Sequence, residues 1–101
     1  MIVFWQNILT RTNRLATVYI PALMQPLTGG LSKVEVAGAS VRQIIDQLEA
    51  VYPGVKERLI EDHSIRPGLS VVVDGEISPL GTLEKVGEKS EVHFLPAIGG
   101  G

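Results

Sequence analysis

Ser40-Val41-Arg42-Gln43-Ile44-Ile45-Asp46-Gln47-Leu48-Glu49-Ala50-Val51-Tyr52-Pro53-Gly54 is the stretch on which the fold turns. Val41, Ile44, Ile45 and Leu48, followed by Val51 or Tyr52, recur at the i, i+3, i+4, i+7 spacing that gathers apolar side chains on one face of an α-helix. Ser40 precedes the run and Gln43 stands three residues on. That is the spacing of a capping box, in which the two side chains satisfy each other's orphan backbone donors. Pro53-Gly54 ends the run. A helix with one apolar face needs a second layer to bury it, and the flanking sequence supplies strands.

Toward the N-terminus, Ala16 to Pro21 alternates, with Val18 and Ile20 on one face and Thr17 and Tyr19 on the other. A loop punctuated by Pro26 and Gly29-Gly30 leads to Leu31 to Ala37, which places Val34 and Val36 inward and Lys33 and Glu35 outward. These two runs predict a hairpin. Toward the C-terminus, Val55 to Ile60 predicts one or two helical turns, followed by a polar loop through Asp62, His63 and Pro67-Gly68. Leu69 to Val73 is a β-branched strand, and Asp74-Gly75 is a tight-turn signal into Glu76 and Ile77. Gly81 to Gly87 reads as a connector around Leu83 and Val86, and Glu91 to Leu95 as a last strand with Val92 and Phe94 inward. The order strand, strand, helix, strand, short strand, strand predicts an α+β chain of β-grasp type. Its mixed sheet has four to five strands, with one main helix as a right-handed crossover expected to join neighbouring strands. The expected organisation is an extension over 1–15, a β-grasp domain over 16–95 and a mobile glycine tail over 96–101.

A chain of 101 residues supports one hydrophobic core, and 45% apolar content is enough to build it. The formal charge of −2 falls to −4 from Ala16 onward, where seven basic residues face eleven acidic ones, so no basic stripe suits a nucleic acid. Cysteine is absent, which excludes disulfides, thiolate metal ligands and a cysteine nucleophile. Met1 to Leu9 is apolar but far short of the roughly 20 residues of a membrane span. Arg11 and Arg14 follow that run rather than precede it, unlike a secretory signal, so a cytoplasmic protein without a membrane partner is expected. Residues 1–15 match neither strand nor capped helix. They are either a dispensable appendage or a docking or oligomer contact through Phe4 and Trp5.

After Leu95-Pro96-Ala97-Ile98 the sequence reads Gly99-Gly100-Gly101. Lacking Cβ atoms, such a segment can lie in a narrow channel and bring its α-carboxylate to another protein's catalytic centre. A carboxylate is ionised at neutral pH and is a poor acyl electrophile, so any acyl chemistry at Gly101 requires prior activation, for example adenylation by ATP.

Val92-His93-Phe94-Leu95-Pro96-Ala97-Ile98-Gly99-Gly100-Gly101 resembles the final strand and tail of the MoaD/ThiS sulfur-carrier family, with Gly99 where alanine is expected. The resemblance extends over Ala16 to Gly101. Ile20-Pro21-Ala22-Leu23, Pro26-Leu27-Thr28-Gly29-Gly30, Tyr52-Pro53-Gly54-Val55 and Glu57-Arg58-Leu59 look most like the branch that serves cysteine biosynthesis, although Gln25 replaces an expected basic residue. The resemblance implies a ubiquitin-like fold and a protein cosubstrate rather than an enzyme. It implies that a ubiquitin-activating-like enzyme adenylates Gly101 with ATP and that a sulfide or persulfide donor converts it to a thiocarboxylate. An acceptor enzyme then takes the sulfur. In the cysteine branch the resemblance implies a pyridoxal-phosphate-dependent cysteine synthase as acceptor, using O-phosphoserine or a related activated serine, and a tail-processing metalloprotease that later trims the added cysteine. The chain itself is expected to bind no cofactor. Molybdopterin and thiamin carriers share this tail chemistry, as does a ubiquitin-like modifier joined through Gly101 to lysines; a plain interaction domain would use no tail chemistry.

On these strand assignments the sheet face away from the helix presents Tyr19, Val72, His93 and Leu95, an apolar set that makes a candidate partner surface. Other signals are bland. Asp62-His63-Ser64 has triad residue types, but consecutive side chains point apart. His63 and His93 lack partners at metal-ligand spacing, and Gly29-Gly30 lacks the lysine and helix of a phosphate loop. Lys85 and Lys89 read as solubilising charge.

Overall fold

The computed structural model describes residues 15–96. Residues 1–14, and with them Phe4 and Trp5, lie outside the described residues, as do residues 97–101 with Gly99, Gly100 and Gly101. Strand β1 (Leu15–Tyr19) pairs antiparallel with β2 (Lys33–Ala37), Leu15 opposite Ala37 and Tyr19 opposite Lys33. Leu15 therefore belongs to the sheet and not to the N-terminal extension. The connection expected as a plain loop is instead a 3₁₀ helix over Ala22–Thr28. Its turn is held by polar side chains. Gln25 Nε2 donates to the Ile20 carbonyl at 3.1 Å, and the hydroxyl of buried Thr28 lies 2.9 Å from the Leu31 carbonyl.

Helix α1 (Val41–Val51) follows, with Ser40 Oγ accepting from the Gln43 amide at 3.2 Å. The reciprocal bond differs from the capping-box expectation, because Gln43 Oε1 accepts from the Ala39 amide at 2.8 Å, one residue before the cap. Val41, Ile44, Ile45 and Leu48 are at most 1% exposed. Tyr52 rather than Val51 extends the stripe: Tyr52 packs against the core, whereas Val51 is 66% exposed. The short helix α2 (Val55–Leu59) starts at Gly54, and the Glu49 carboxylate accepts from the Gly54 and Lys56 amides at 3.1 and 2.8 Å. One α1 side chain thus satisfies the orphan donors of the next helix.

The region read as a polar loop contains a small hairpin, β3 (Ile60–Glu61) with β4 (Ser64–Ile65). Its two-residue turn holds Asp62 and His63 at φ 52° and 66°, the left-handed conformation of a type I′ turn. Strand β5 (Leu69–Val73) makes the expected hairpin with β6 (Glu76–Ile77) through Asp74 and Gly75, at φ 52° and 87°. The connector forms a 3₁₀ turn over Gly81–Leu83 and hydrogen-bonds the start of α1: Val41 N–H donates to the Glu84 carbonyl and Val86 N–H to that of Ala39. Strand β7 (Glu91–Pro96) runs one residue beyond the expected domain limit at 95, since Pro96 stands opposite Leu69.

The five-stranded sheet has the order β2-β1-β7-β5-β6, with β7 parallel to β1 and antiparallel to β5. The crossover through α1 therefore does not join neighbouring strands: β2 is an edge, and β1 and β7 lie between it and β5. The last strand fills the gap between the two hairpins, a long-range pairing that element order alone does not reveal. Val18, Ile20, Val36, Val71, Val92 and Phe94 form the sheet's half of the core against α1, and each buried aliphatic side chain contributes about 1.5–3 kcal/mol. Among the described residues no helix is long and apolar enough to cross a membrane.

Asp74 does two jobs. It occupies the turn, and its carboxylate accepts from Ser90 Oγ at 2.8 Å and from the Glu91 amide at 2.9 Å, tying the β5–β6 hairpin to the start of β7. Asp74→Ala is expected to lower stability by about 1–3 kcal/mol in urea unfolding. His63→Gly, which relieves a left-handed non-glycine residue, is expected to raise it by about 1 kcal/mol.

Candidate functional site

Strand register assembles the site. Tyr19 stands opposite Lys33 on one side and His93 on the other; His93 faces Val72, and Val72 faces Ile77. Lys33, Tyr19, His93, Val72 and Ile77 therefore form one transverse row across all five strands. Their sequence neighbours Val18, Val34, Val71 and Val92 point into the core or pack against it, so the row lies on the face away from α1.

The Tyr19 and His93 rings stack with centroids 4.0 Å apart and planes 6° from parallel. Lys33 Nζ stands 6.0 Å from the Tyr19 ring centre, at the outer range of a cation–π contact. His93 Nε2 is 3.8 Å from Glu91 Oε1, a neighbour on the same face of β7. Val72 is only 9% exposed yet is not part of the core cluster, consistent with its place in the row between His93 and Ile77. Ile77 is 70% exposed and Leu95, one step further along β7 opposite Ser70, is 45% exposed. All four residues expected on the partner surface lie on the outer face, but Val72 is buried there beneath its neighbours and offers a partner little contact area.

Two members escaped sequence reasoning, Ile77 and Lys33. A signal for Ile77 was present. A two-residue Asp74-Gly75 turn makes Val73 and Glu76 the flanking pair, which forces Val72 opposite Ile77 and onto the same face. Lys33 follows similarly once Tyr19 is set opposite it.

Because β7 is the middle strand and parallel to β1, Pro96 stands at the centre of the sheet, at the end where β1 runs into Ile20-Pro21. At about 3.3–3.6 Å per extended residue, Ala97 to Gly101 can span at most about 18 Å.

The remaining sequence signals are accounted for structurally. Asp62 and His63 form the β3–β4 turn and Ser64 begins β4. His63 lines a shallow cavity of about 280 Å³ with Arg42, Lys56 and Leu83, while His93 lies on β7. Among the described residues no three His, Asp or Glu side chains converge as metal ligands. Gly29 ends the 3₁₀ helix at φ 65°.

A mixed five-stranded sheet carrying one long helix on one face, with the last described strand in its middle, defines a ubiquitin-like β-grasp domain. The chain belongs to the ThiS family, whose sequence pattern matches residues 18–101. It is 34% identical over 92 residues to the sulfur carrier protein CysO of Mycobacterium tuberculosis (strain ATCC 25618 / H37Rv), spanning 84% of this chain and 97% of that protein. Among solved structures, the Amycolatopsis orientalis BexX/CysO complex contains a chain 34% identical, with a TM-score of 0.78, covering 85% of this chain and 99% of its own. Mycobacterium tuberculosis CysO superposes with a TM-score of 0.76 at 31% identity, covering 82% and 99%.

The stacked rings predict a measurable coupling. In a double-mutant cycle on unfolding, Tyr19→Ala and His93→Ala are expected to be non-additive by about 0.5–1.5 kcal/mol. Ile77→Asp, on an exposed edge, is expected to change stability by no more than about 0.5 kcal/mol.

Proposed function

We propose that this chain is a sulfur carrier of cysteine biosynthesis whose Gly101 α-carboxylate is activated and thiolated by partner enzymes. The observation that carries the reading is the family match running through the last strand to Gly101, combined with a β7 that reaches Pro96 in the middle of the sheet beside an apolar outer face. On this reading the chain is a protein cosubstrate, and the catalytic groups belong to its partners.

The chemistry balances simply. The Gly101 carboxylate attacks the α-phosphorus of ATP on a ubiquitin-activating-like enzyme, forming an acyl adenylate and releasing pyrophosphate. Hydrosulfide attacks the acyl carbon; a persulfide protein in its place would form an acyl disulfide with the chain, whose S–S bond a thiol reductant must then cleave to leave the thiocarboxylate. With hydrosulfide, the C–O bond to AMP breaks, a proton is released and the thiocarboxylate remains. Its sulfur is a better nucleophile than the parent oxygen; on an acceptor enzyme, in this branch a pyridoxal-phosphate-dependent cysteine synthase, it bonds to the β-carbon of an activated serine as the activating group leaves, and the resulting thioester shifts from sulfur to the amino nitrogen, leaving cysteine amide-linked to Gly101. A metalloprotease then removes the added cysteine. The working compartment is the cytoplasm, where ATP and these enzymes meet.

The fold's contribution is presentation. Gly99 to Gly101 carry no side chain that would bar a narrow channel. Tyr19, His93, Ile77 and Leu95 offer a preformed apolar surface at the base of the tail, so docking orders few residues. That a relative, the Amycolatopsis orientalis CysO, occurs in a complex with BexX supports a role played against partner proteins.

The test is the intact mass of the chain after incubation with ATP, sulfide and a ubiquitin-activating-like enzyme, with fragmentation to locate the change. Replacement of one oxygen by sulfur at Gly101 is expected, and extension of the chain past Gly101 is expected to abolish it. Ile77→Asp is expected to raise the KM for adenylation about tenfold or more with a near-normal kcat. Isopeptide remnants of Gly100-Gly101 on lysines of other proteins, with no acceptor enzyme taking the sulfur, would assign the chain to protein modification instead.

A further inference from the structure

The free edge of β2 has a self-complementary pattern. The Ile20 amide donates to the Ser32 carbonyl at 2.8 Å, which marks Ile20 and Ser32 as a hydrogen-bonded pair in the β1–β2 ladder. Antiparallel pairs alternate, so Val34 and Val36 also turn their backbone groups toward β1. Lys33, Glu35 and Ala37 turn theirs to the open side. Among the described residues, no hydrogen bond engages those outward N–H and C=O groups. The opposite edge, β6, is only two residues long, so β2 is the sheet's one extended edge among the described residues.

Lys33 and Glu35 project from the outer face, two residues apart and opposite in sign, and both are exposed. An antiparallel pairing of β2 with a second β2 can adopt only registers that set outward-facing residues against each other. One register places Glu35 against Glu35 and another places Lys33 against Lys33; both oppose like charges. A third sets Lys33 of each copy against Glu35 of the other, with Val34 against Val34 on the two-fold axis. Only in that register are two opposite-charge pairs made on one face and an apolar pair on the other. The inner face beside Val34 is also apolar. A shallow groove of about 230 Å³ between β2 and α1 is lined by Val34, Val36, Leu48, Val51 and Tyr52, and Val51 is 66% exposed.

We infer that β2 is a self-association edge, through which two copies of this chain pair antiparallel in the Lys33–Glu35 register to form a continuous ten-stranded sheet. The occupant is a second copy because the charge pattern matches itself, and an isologous contact of this kind closes at the dimer. The contact is small, so the dimer is weak and salt-sensitive. It engages Lys33 at the margin of the outer row but leaves Tyr19, His93, Ile77 and Leu95 of both copies uncovered, and it is independent of the sulfur chemistry.

Sedimentation analysis of the full chain, from about 10 μM to 1 mM, reads the outcome. A concentration-dependent rise from 10.9 kDa toward twice that mass is expected, weakening as salt is raised. K33E and E35K should each weaken association about tenfold or more, because each turns both cross-strand pairs into like-charge pairs. The double variant K33E/E35K should restore it, and a mixture of the two single variants should form a mixed dimer that neither forms alone. All these changes are at exposed positions, and circular dichroism checks that the fold persists. A chain that remains monomeric at 1 mM overturns the proposal. So does a dimer indifferent to K33E, since another surface or register would then hold it.

Discussion

The pairing of β7 between β1 and β5 is the constraint on which the rest of the structure depends. Without it, the β1–β2 and β5–β6 hairpins are separate two-stranded ribbons, too small to be stable alone. With it, they become one sheet wide enough to take the whole apolar stripe of α1. Val92 and Phe94 from β7 meet Val18 and Val71 in the centre of the core. The same strand contributes His93 and Leu95 to the opposite face. One segment thus fixes the core and the outer surface together, and the two-residue period of a strand keeps those tasks from competing.

Polar groups at the joints hold this arrangement in register. Asp74 binds the turn of one hairpin to the start of β7, Glu49 caps the helix after its own, and the backbone of residues 84–86 pairs with residues 39–41 at the head of α1. None is a deeply buried charge, so none requires a large desolvation cost to be offset. The ion pairs Lys56–Asp46 and Arg66–Glu61 are roughly half exposed and contribute little by comparison.

Much of this was legible in the sequence because it is local. The α1 stripe, the Ser40 cap, the Asp74-Gly75 turn and the inward alternation of Val92 and Phe94 depend on residues a few positions apart. The outer-face set of Tyr19, Val72, His93 and Leu95 followed from the same alternation. What was not legible depends on distant partners or on weak local signals. The strand order came out differently because β7 pairs with β1, more than seventy residues earlier in the chain, and no periodicity encodes that. The β3–β4 hairpin was missed because its strands are two residues long and its turn holds Asp62-His63 where glycine would have advertised it. Ile77 was assigned to a strand but not to the site, since its face follows from register and not from hydrophobicity.

The position of β7 also bears on how the protein is made. It is the last of the described strands in chain order and yet it lies in the middle of the sheet, so a nascent chain cannot complete this sheet before Glu91 to Pro96 has been translated. A fragment that stops earlier leaves the inner edges of β1 and β5 open and the α1 stripe half covered, the features that draw proteases and chaperones. The β-grasp fold is therefore open only to chains translated through β7.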